Sequence, residues 1–323
     1  MDLAMPYRII HNERVAQGLR RIATEELEAA IAQLREEDES RRDEGIHQAR
    51  KSIKKLRGIV KLLSPCLGED GGKDDAALRD TGRALSKLRD AAALIETVEA
   101  LSERYFSDPA MEQLAVVRSA LRRRLEDTVR GEDCRTVSGG AVASLKLLKR
   151  RVHRWQAPDS EFLTIAQGFE RTYRHGRKAL KRAVAEPDVD NLHSLRKRVK
   201  EHWYHVRLLD GALRVSPEPR EKALGELQEL LGDHHNLAVL RDVLSRDPAA
   251  FGAKKTVPAV LDLIGRAQKE LQRTAFAAAG ILYAAKPGEH IRQVAAAWQA
   301  WRGEAEAAKP AGRAVAKHRT SAA

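Results

Sequence analysis

Two stretches of the chain place one histidine and several cations at the same spacing. The segment that begins at His47 and the segment that begins at His193 both open with His-x-x-Arg-Lys-x-x-Lys, and both close with Val-(Lys/Arg)-Leu-Leu. Arginine offers a fork of N–H donors that fits phosphate oxygens, and lysine offers a mobile point charge. A histidine beside them adds a donor whose charge changes near neutral pH. These residue types at this spacing indicate the binding of a multiply charged anion.

Wound as a helix, the first segment separates into two adjacent stripes. Apolar residues from Ile46 to Leu63 recur at the spacing of a core-facing helix, while the cations from His47 to Lys61 occupy about one third of the circumference. The segment contains no carboxylate, so no ion pair along the same helix neutralises it. Its cationic row is roughly 21 Å long, which suits an extended polyanion. An ordinary solvated face is the alternative, but such a face has no need to repeat the same cations in a second copy.

The composition narrows the class of protein and of partner. The chain has 323 residues, with 58 Lys+Arg against 46 Asp+Glu and a net charge of +12, so we expect an acidic partner: nucleic acid, an anionic membrane or polyphosphate. Only 4% of the residues are aromatic, which leaves few platforms for base stacking. The two cysteines, Cys66 and Cys134, are too few for a disulfide framework or a zinc site. No apolar run approaches a membrane span and the N-terminus lacks a signal-peptide core, so a soluble cytoplasmic protein without membrane contact is expected.

Helix signals account for most of the chain, and almost no segment alternates with period 2 as strands do. The first basic helix is predicted to stop at Ser64-Pro65, before a Gly/Asp loop over 68–75, and Ser138 to Gly140 are predicted to precede a further helix. Other helices are predicted at about 13–38, 76–104, 160–185, 224–244, 256–285 and 288–306.

The repeat, at about half the chain length, predicts the architecture. We expect an all-α fold in which two helical bundles of about four helices each, related by a pseudo-twofold axis, surround a basic central groove or channel. The first half covers about residues 8–155 and the second about 156–302. The segment 303–323, rich in Ala, Lys and Gly, is predicted to be a disordered tail.

These motifs resemble those of the CHAD family, the conserved-histidine α-helical domain. The resemblance rests on the duplicated His-x-x-Arg-Lys-x-x-Lys, on LRDAAAL at 88–94 and LGDHHNLAVL at 231–240, and on a closing pattern from Gly280 to Trp301. It implies one CHAD-like domain over 1–302, with two four-helix halves around a basic channel that binds inorganic polyphosphate. It also implies association with polyphosphate granules, as in stand-alone members of the family. Other members carry a triphosphate tunnel hydrolase domain, whose Glu-x-Glu-x-Lys signature is absent from this chain.

Polyphosphate exposes no bases, so only charge and hydrogen-bond geometry can recognise it. We predict that the cations of both basic helices line the groove, together with those of a helix over 168–183. The matching helix of the first half carries mostly Glu and leaves only Arg21, so a strictly symmetric site is not expected. The candidate polyphosphate-binding residues are Arg21, His47, Arg50, Lys51, Lys54, Arg57, Lys61, Arg171, Arg174, Lys178, Lys181, His193, Arg196, Lys197, Lys200 and Arg207.

The roles of the histidines and aspartates are less determined. His47 and His193 either donate to phosphate or bond a neighbouring loop. Asp90 and Asp233 are expected to orient cations of the basic helices rather than to catalyse. The pairs His202/His205 and His234/His235 lack the spacing of a metal site.

Three classes of function stay open. The first is a non-enzymatic polyphosphate-binding module, and the second is a nucleic-acid-binding protein, which the pI near 9.8 favours although no base-reading motif is present. The third is a metal-dependent polyphosphate or triphosphate hydrolase, which needs a carboxylate cluster facing the groove. Paired carboxylates for acid/base work, a nucleophile with its base and a phosphate-binding Gly-rich loop are all missing from the sequence. We therefore expect no enzyme activity, no metal and no cofactor.

Overall fold

The computed structural model describes residues 7–308, apart from 37, 39–40, 132–133, 159, 214–219 and 253. This part of the chain consists of eleven α-helices and one 3₁₀ turn, with no strand, which confirms the all-α prediction. The helices are α1 (Val15–Leu34), α2 (Arg42–Lys87), α3 (Asp90–Arg104), α4 (Met111–Gly131), α5 (Cys134–Val152), α6 (Leu163–Ala185), α7 (Val189–Leu208), α8 (Asp210–Leu213), α9 (Arg220–Arg246), α10 (Thr256–Leu282) and α11 (Pro287–Ala308).

Helix α2 corrects the prediction of a helix end at Ser64-Pro65. The helix runs through Pro65 and bends at Gly68, whose φ of 53° and ψ of −131° are not helical. Pro65 has no N–H to donate to the carbonyl of Lys61 four residues earlier. That carbonyl accepts instead from Arg171 Nη2, at 2.9 Å, and from Ser64 Oγ, at 3.0 Å. The free carbonyl thus ties α2 to α6 and does not end the helix.

The loop predicted over 68–75 is also wrong, because from 69 onward this segment is the second arm of α2. Its turn-forming residues are held in a helix by a tertiary contact that local propensity does not report. Asp74 is 1% exposed and accepts from Arg151 Nε at 2.6 Å and from Trp155 Nε1 at 2.9 Å. A buried carboxylate with two donors fixes the segment against α5 and the residues that follow it.

Three further boundaries differ from the sequence-based expectation. The single helix predicted over about 76–104 is divided, because α2 ends at Lys87 and α3 begins at Asp90. The residues 138–140 lie inside α5 rather than before it. Helix α11 continues to Ala308, so residues 303–308 of the predicted tail are helical. The remaining tail, 309–323, lies outside the described residues.

The buried apolar side chains form two clusters, and each cluster draws on both halves of the chain. The larger one joins α1, α2 and α5 to α6, α7 and α11. The smaller one joins α3 and α4 to the C-terminal part of α9 and the N-terminal part of α10. The helix pairs of the two halves correspond, as expected for a repeat. In the first half α1 packs on α2 and α3 packs on α4, and in the second half α6 packs on α7 and α9 packs on α10. The pseudo-twofold arrangement of two separate bundles stays a prediction.

The two basic helices contact each other, and α6 braces both. At the α2–α6 contact, a Cβ on Gly168 would lie 1.9 Å from the carbonyl oxygen of Leu62, so only glycine permits this approach. Between α2 and α7, the fully buried His205 donates from Nε2 to the carbonyl of Gly58 at 2.8 Å. These contacts fix the position of α7 relative to α2. None of the described helices is long and apolar enough to cross a membrane.

Candidate functional site

Helices α2 and α7 bring five cations into one group, called here the cation cluster: Arg50, Lys51, Lys54, Arg196 and Lys200. Their proximity shows in their mutual repulsion. Burial, and after it the charges of Lys200, Arg50, Arg196 and Lys51, lower the pKa of Lys54 to about 7. Lys51 is exposed and the other four are half-buried. The sequence repeat therefore becomes a single site where the two helices meet.

Lys200 shows the same behaviour from the other helix. Burial, and after it repulsion from Arg196, Arg50 and Lys51, lower its pKa to about 8. Within the described part of the chain, neither Lys54 nor Lys200 forms an ion pair with a carboxylate. Half-buried cations without partners are costly, because desolvation of a charge has to be offset by an opposite charge or by hydrogen bonds. The free protein therefore presents a positive site that an anion would stabilise.

The two arginines of the cluster each face an aspartate at an equivalent place in the repeat. Burial lowers the pKa of Arg50, and the carboxylate of Asp90 acts in the opposite direction. Burial also lowers the pKa of Arg196, where the hydroxyl of Tyr204 and the carboxylate of Asp233 act in the opposite direction. Both guanidinium groups stay charged, since arginine does not lose its proton in proteins. Arg196 Nε is buried without a hydrogen-bond partner among the described residues. The aspartates thus act on arginines of the basic helices and leave the two lysines uncompensated.

The cations at the other end of the same helices have partners. Arg57 donates from Nε and Nη2 to the two carboxylate oxygens of Asp75, at 2.8 and 3.1 Å. Lys61 forms an ion pair with Glu201, across the α2–α7 contact. We call Arg57, Lys61 and Arg207 the paired end of the site.

Arg207 belongs to the paired end through aromatic rings. Its guanidinium lies 4.8 Å from the ring centroid of Trp203 and 5.4 Å from that of Tyr7, which are cation–π distances. Lys197 is exposed, and its pKa is lowered by burial and by the nearby charges of Lys61 and Arg198. It therefore lies beside the paired end rather than in the cation cluster.

The other candidate residues are held by different contacts. Arg21 donates to Glu13 at 2.7 Å and pairs with Glu25 at 3.0 Å, so the protein's own carboxylates occupy it. Arg171 binds the carbonyl of Lys61, as described above. Arg174 pairs with Glu170 at 2.5 Å on the surface of α6, and Lys178 and Lys181 are exposed on the same helix. The cations that lower the pKa of Lys54 come from α2 and α7, and those of α6 are not among them.

The family follows from comparison with known proteins. The sequence model of the CHAD domain matches residues 25–245, which is more than half of the chain. The chain belongs to the CHAD family. A crystal structure of the CHAD domain from the plant Ricinus communis shares the fold at a TM-score of 0.50 and 17% identity, covering 92% of this chain and 96% of that one. A search of curated proteins finds no match.

The histidines that open the two basic helices differ in their contacts within this CHAD domain. His47 accepts a hydrogen bond at Nδ1 from Arg89 Nη1. Burial, and after it the charges of Arg89 and Lys51, lower the pKa of His47 to about 4. Its imidazole is therefore neutral at pH 7 and bonds the residue that precedes α3. This contact agrees with the alternative in which His47 bonds a neighbouring loop, and it leaves the Nε2–H of His47 as a donor.

His193 lies in a histidine pair. Its ring centroid is 4.7 Å from that of His235, and its Nδ1 is buried without a partner among the described residues. Burial lowers the pKa of His193, helped by Arg196 and Lys197. The histidines that open the two basic helices are thus both neutral in the free CHAD domain at pH 7, and neither adds positive charge to the site at neutral pH.

The residue that sequence analysis missed is Arg89. It is 8% exposed, bonds His47 and pairs with Glu96 of α3. Its neighbour Asp90 was singled out because LRDAAAL matches LGDHHNL, but the equivalent of Arg89 in the second copy is a glycine, Gly232. The comparison of repeats therefore could not find it, and its position directly before an aspartate of the site was the only available signal.

Other histidines of the CHAD domain are buried in its core. His202, His205 and His290 are each 1% exposed or less and contact the rings of Phe169 and Tyr173. Within the described residues, no group of three or more His, Cys, Asp or Glu side chains is placed to hold a metal ion.

Proposed function

We propose that this CHAD-domain protein binds inorganic polyphosphate and does not convert it. The observation that carries the proposal is the cation cluster: two lysines and two arginines, half-buried at the contact of α2 and α7, with no carboxylate paired to the lysines in the described structure. Folding such a cluster costs free energy that an anionic ligand would offset. The membership in the CHAD family supports the same conclusion.

The chemistry of the cluster fits a linear phosphate chain. Arg50 and Arg196 can donate paired hydrogen bonds to phosphate oxygens, and the flexible side chains of Lys54 and Lys200 supply positive charges next to them. The cations come from two helices, so a chain can be contacted from two sides. Exposed Lys51 and Lys197 extend the positive surface along the two helices in the direction of solvent.

A binding role without turnover is proposed because the two carboxylates near the cluster each lie close to the positive charge of an arginine, which balances their charge. Asp90 and Asp233 act on Arg50 and Arg196. Incubation with long-chain polyphosphate and Mg²⁺ or Mn²⁺ should leave the chain length unchanged on a gel. Phosphate release that follows the protein through purification, and that Asp90→Asn or Asp233→Asn abolishes, would make the protein a hydrolase.

Competition separates polyphosphate from nucleic acid. With labelled long-chain polyphosphate bound at physiological salt, unlabelled polyphosphate should displace the label far more effectively than DNA or RNA at equal phosphate concentration. Phosphates follow each other more closely in polyphosphate than in a nucleic acid, so more of them reach the cluster at once. Equal displacement by the three polymers would favour general binding of polyanions, with nucleic acid as a partner. In cells, we propose association with polyphosphate granules, which co-localisation of a tagged protein tests.

A further inference from the structure

A small cavity lies beside the cation cluster, between α3, α9 and α10. It measures about 250 Å³, and the buried side chains of Leu101, Leu237, Ala267 and Leu271 form its floor. Its rim is polar and includes the exposed residues Asp233 and Asn236, together with Arg104, which pairs with Glu270 at 2.9 Å. An apolar floor with a few polar groups at the rim is typical of a site for a small organic molecule rather than for a bare phosphate chain.

The rim of this cavity is shared with the basic site. Asp233 interacts electrostatically with Arg196 of the cation cluster and with Arg104 on the other side of the cavity. Glu96, also on the rim, pairs with Arg89, which in turn bonds His47. A molecule with an anionic part and an apolar ring can therefore occupy the cluster and the cavity at the same time.

We propose that the cavity receives the guanine base of a nucleoside polyphosphate whose phosphates occupy the cation cluster. The inference rests on the proposed function, since it uses the same cations for the phosphates. The faces of a purine fit against leucine and alanine side chains, whose burial by the base removes apolar surface from water. The N1–H and amino group of guanine are donors, and the carboxylate of Asp233 accepts both. The carboxamide of Asn236, on the same edge of the cavity, can donate to an acceptor of the base.

The charge pattern favours a nucleotide over an amine or a fatty chain. A cationic amine would be repelled by the cluster, although it would be attracted by Asp233. A fatty chain would leave the carboxylate of Asp233 and the carboxamide of Asn236 desolvated without partners. A guanine nucleotide satisfies both the rim and the cluster.

The test compares ligands of equal phosphate number. Displacement of labelled long-chain polyphosphate is measured with GTP, ATP, CTP and tripolyphosphate at constant Mg²⁺ and ionic strength. GTP should bind about tenfold more tightly than tripolyphosphate, as one well-formed pair of hydrogen bonds and the buried ring faces predict, with ATP and CTP weaker than GTP. Equal affinity of GTP and tripolyphosphate would overturn the inference and leave the proposed function intact. Absence of binding by long-chain polyphosphate itself would overturn both.

Two variants sharpen this test. Ala100→Trp introduces an indole at the exposed edge of the cavity, away from the core, and should remove the advantage of GTP while tripolyphosphate binds as before. Asp233→Asn should reduce the preference for GTP over ATP, because an amide cannot accept from both guanine donors. Ala100→Ser serves as the control that leaves the cavity open. A GTP advantage that persists in Ala100→Trp would place the base elsewhere and refute the assignment.

Discussion

The cation cluster and the paired end lie on the same two helices and contain the same residue types, yet they differ in their neighbours. At the paired end, Arg57 has Asp75, Lys61 has Glu201 and Arg207 has two aromatic rings. In the cluster, the nearest charges to Lys54 and Lys200 belong to other cations, which lower the pKa of both lysines. The difference shows that cations of one helical stripe are not equivalent after folding. Some acquire counter-charges, and others are placed together without them, which is the basis of the proposed binding site.

The largest effect is expected from removing the cluster. Replacing Arg50, Lys54, Arg196 and Lys200 with Ala should weaken long-chain polyphosphate binding by about two orders of magnitude or more, because four charge-assisted contacts are lost. The slope of log K against log salt should also flatten by about 3, since fewer counterions are released. Fluorescence titration over a salt series measures both quantities.

A control with the same loss of charge comes from exposed cations outside the site. The variant Lys146→Ala, Arg150→Ala, Lys222→Ala and Arg246→Ala changes the net charge equally and should keep most of the affinity. Lys55 and Arg198, which also lie off the cationic stripe, are less suitable, because their carboxylate partners Glu26 and Glu201 are only 11% and 12% exposed and would be left buried without them, whereas the partners of Lys222 and Arg246 are exposed. Similar losses in the two fourfold variants would mean that the ligand senses net charge alone, and the cluster would lose its special role.

A smaller effect is expected from pH. Burial and neighbouring cations lower the pKa of Lys54 to about 7 and that of Lys200 to about 8, so both become partly neutral as the pH rises above these values. A bound polyanion favours the charged form, so binding takes up protons in this range. Affinity should therefore be highest below pH 7 and fall by about tenfold between pH 6 and 9.

Calorimetry in buffers of different ionisation enthalpy measures the proton uptake directly. The double variant Lys54→Arg and Lys200→Arg should show a much flatter profile, because arginine stays charged over this range. An affinity that is constant or that rises from pH 6 to 9 in the unaltered protein would contradict the electrostatic account of the cluster.

At the paired end, the expected effect concerns stability rather than binding. Lys61→Ala should lower the free energy of unfolding by about 1–3 kcal/mol, because Glu201, whose side chain is 12% exposed, would keep only Arg198 as a partner. Polyphosphate affinity should change by less than about threefold, as expected for the loss of one charge that is already compensated. Urea unfolding and titration of the same preparation give both values, and adding Glu201→Gln should restore part of the stability. A loss of affinity as large as that of a cluster lysine would remove the contrast between the two regions.

The smallest effect is a gain in stability. Lys54→Met removes a half-buried charge, and we expect stabilisation on the order of 1 kcal/mol at pH 6. The native pKa of Lys54, about 7, lies below the unfolded value of 10.5, so the unfolded chain binds more protons between these values and native stability rises with pH across that window. The gain from Lys54→Met should therefore be complete below pH 7 and disappear near pH 10.5. Lys146→Met, at an exposed position, is the control. Lower stability of Lys54→Met at pH 6 would show that the lysine is compensated in the fold.

The sequence alone determined the helical class, most helix positions and the basic helices. Periodic apolar positions and the duplicated motif depend only on residue spacing along one helix, so α7 was predicted close to its observed range of Val189–Leu208. The same local reasoning placed a loop over 68–75. There the bend at Gly68 and the buried contacts of Asp74 keep the chain helical, and both depend on packing against distant residues.

Only the tertiary structure decided which cations form a site. The sequence placed Lys54, Arg57 and Lys61 on one stripe. The partner of Arg57 is Asp75, which follows the bend at Gly68, and the partner of Lys61 is Glu201, on another helix, so residue spacing could not predict either ion pair. The meeting of Lys54 with Lys200 depends on the crossing of α2 and α7, which the buried bond from His205 to Gly58 fixes. Charge interactions depend on distance in space and on burial, and neither quantity can be read from one helix. The residue types were therefore known from the sequence, while the fold selected the few that remain uncompensated.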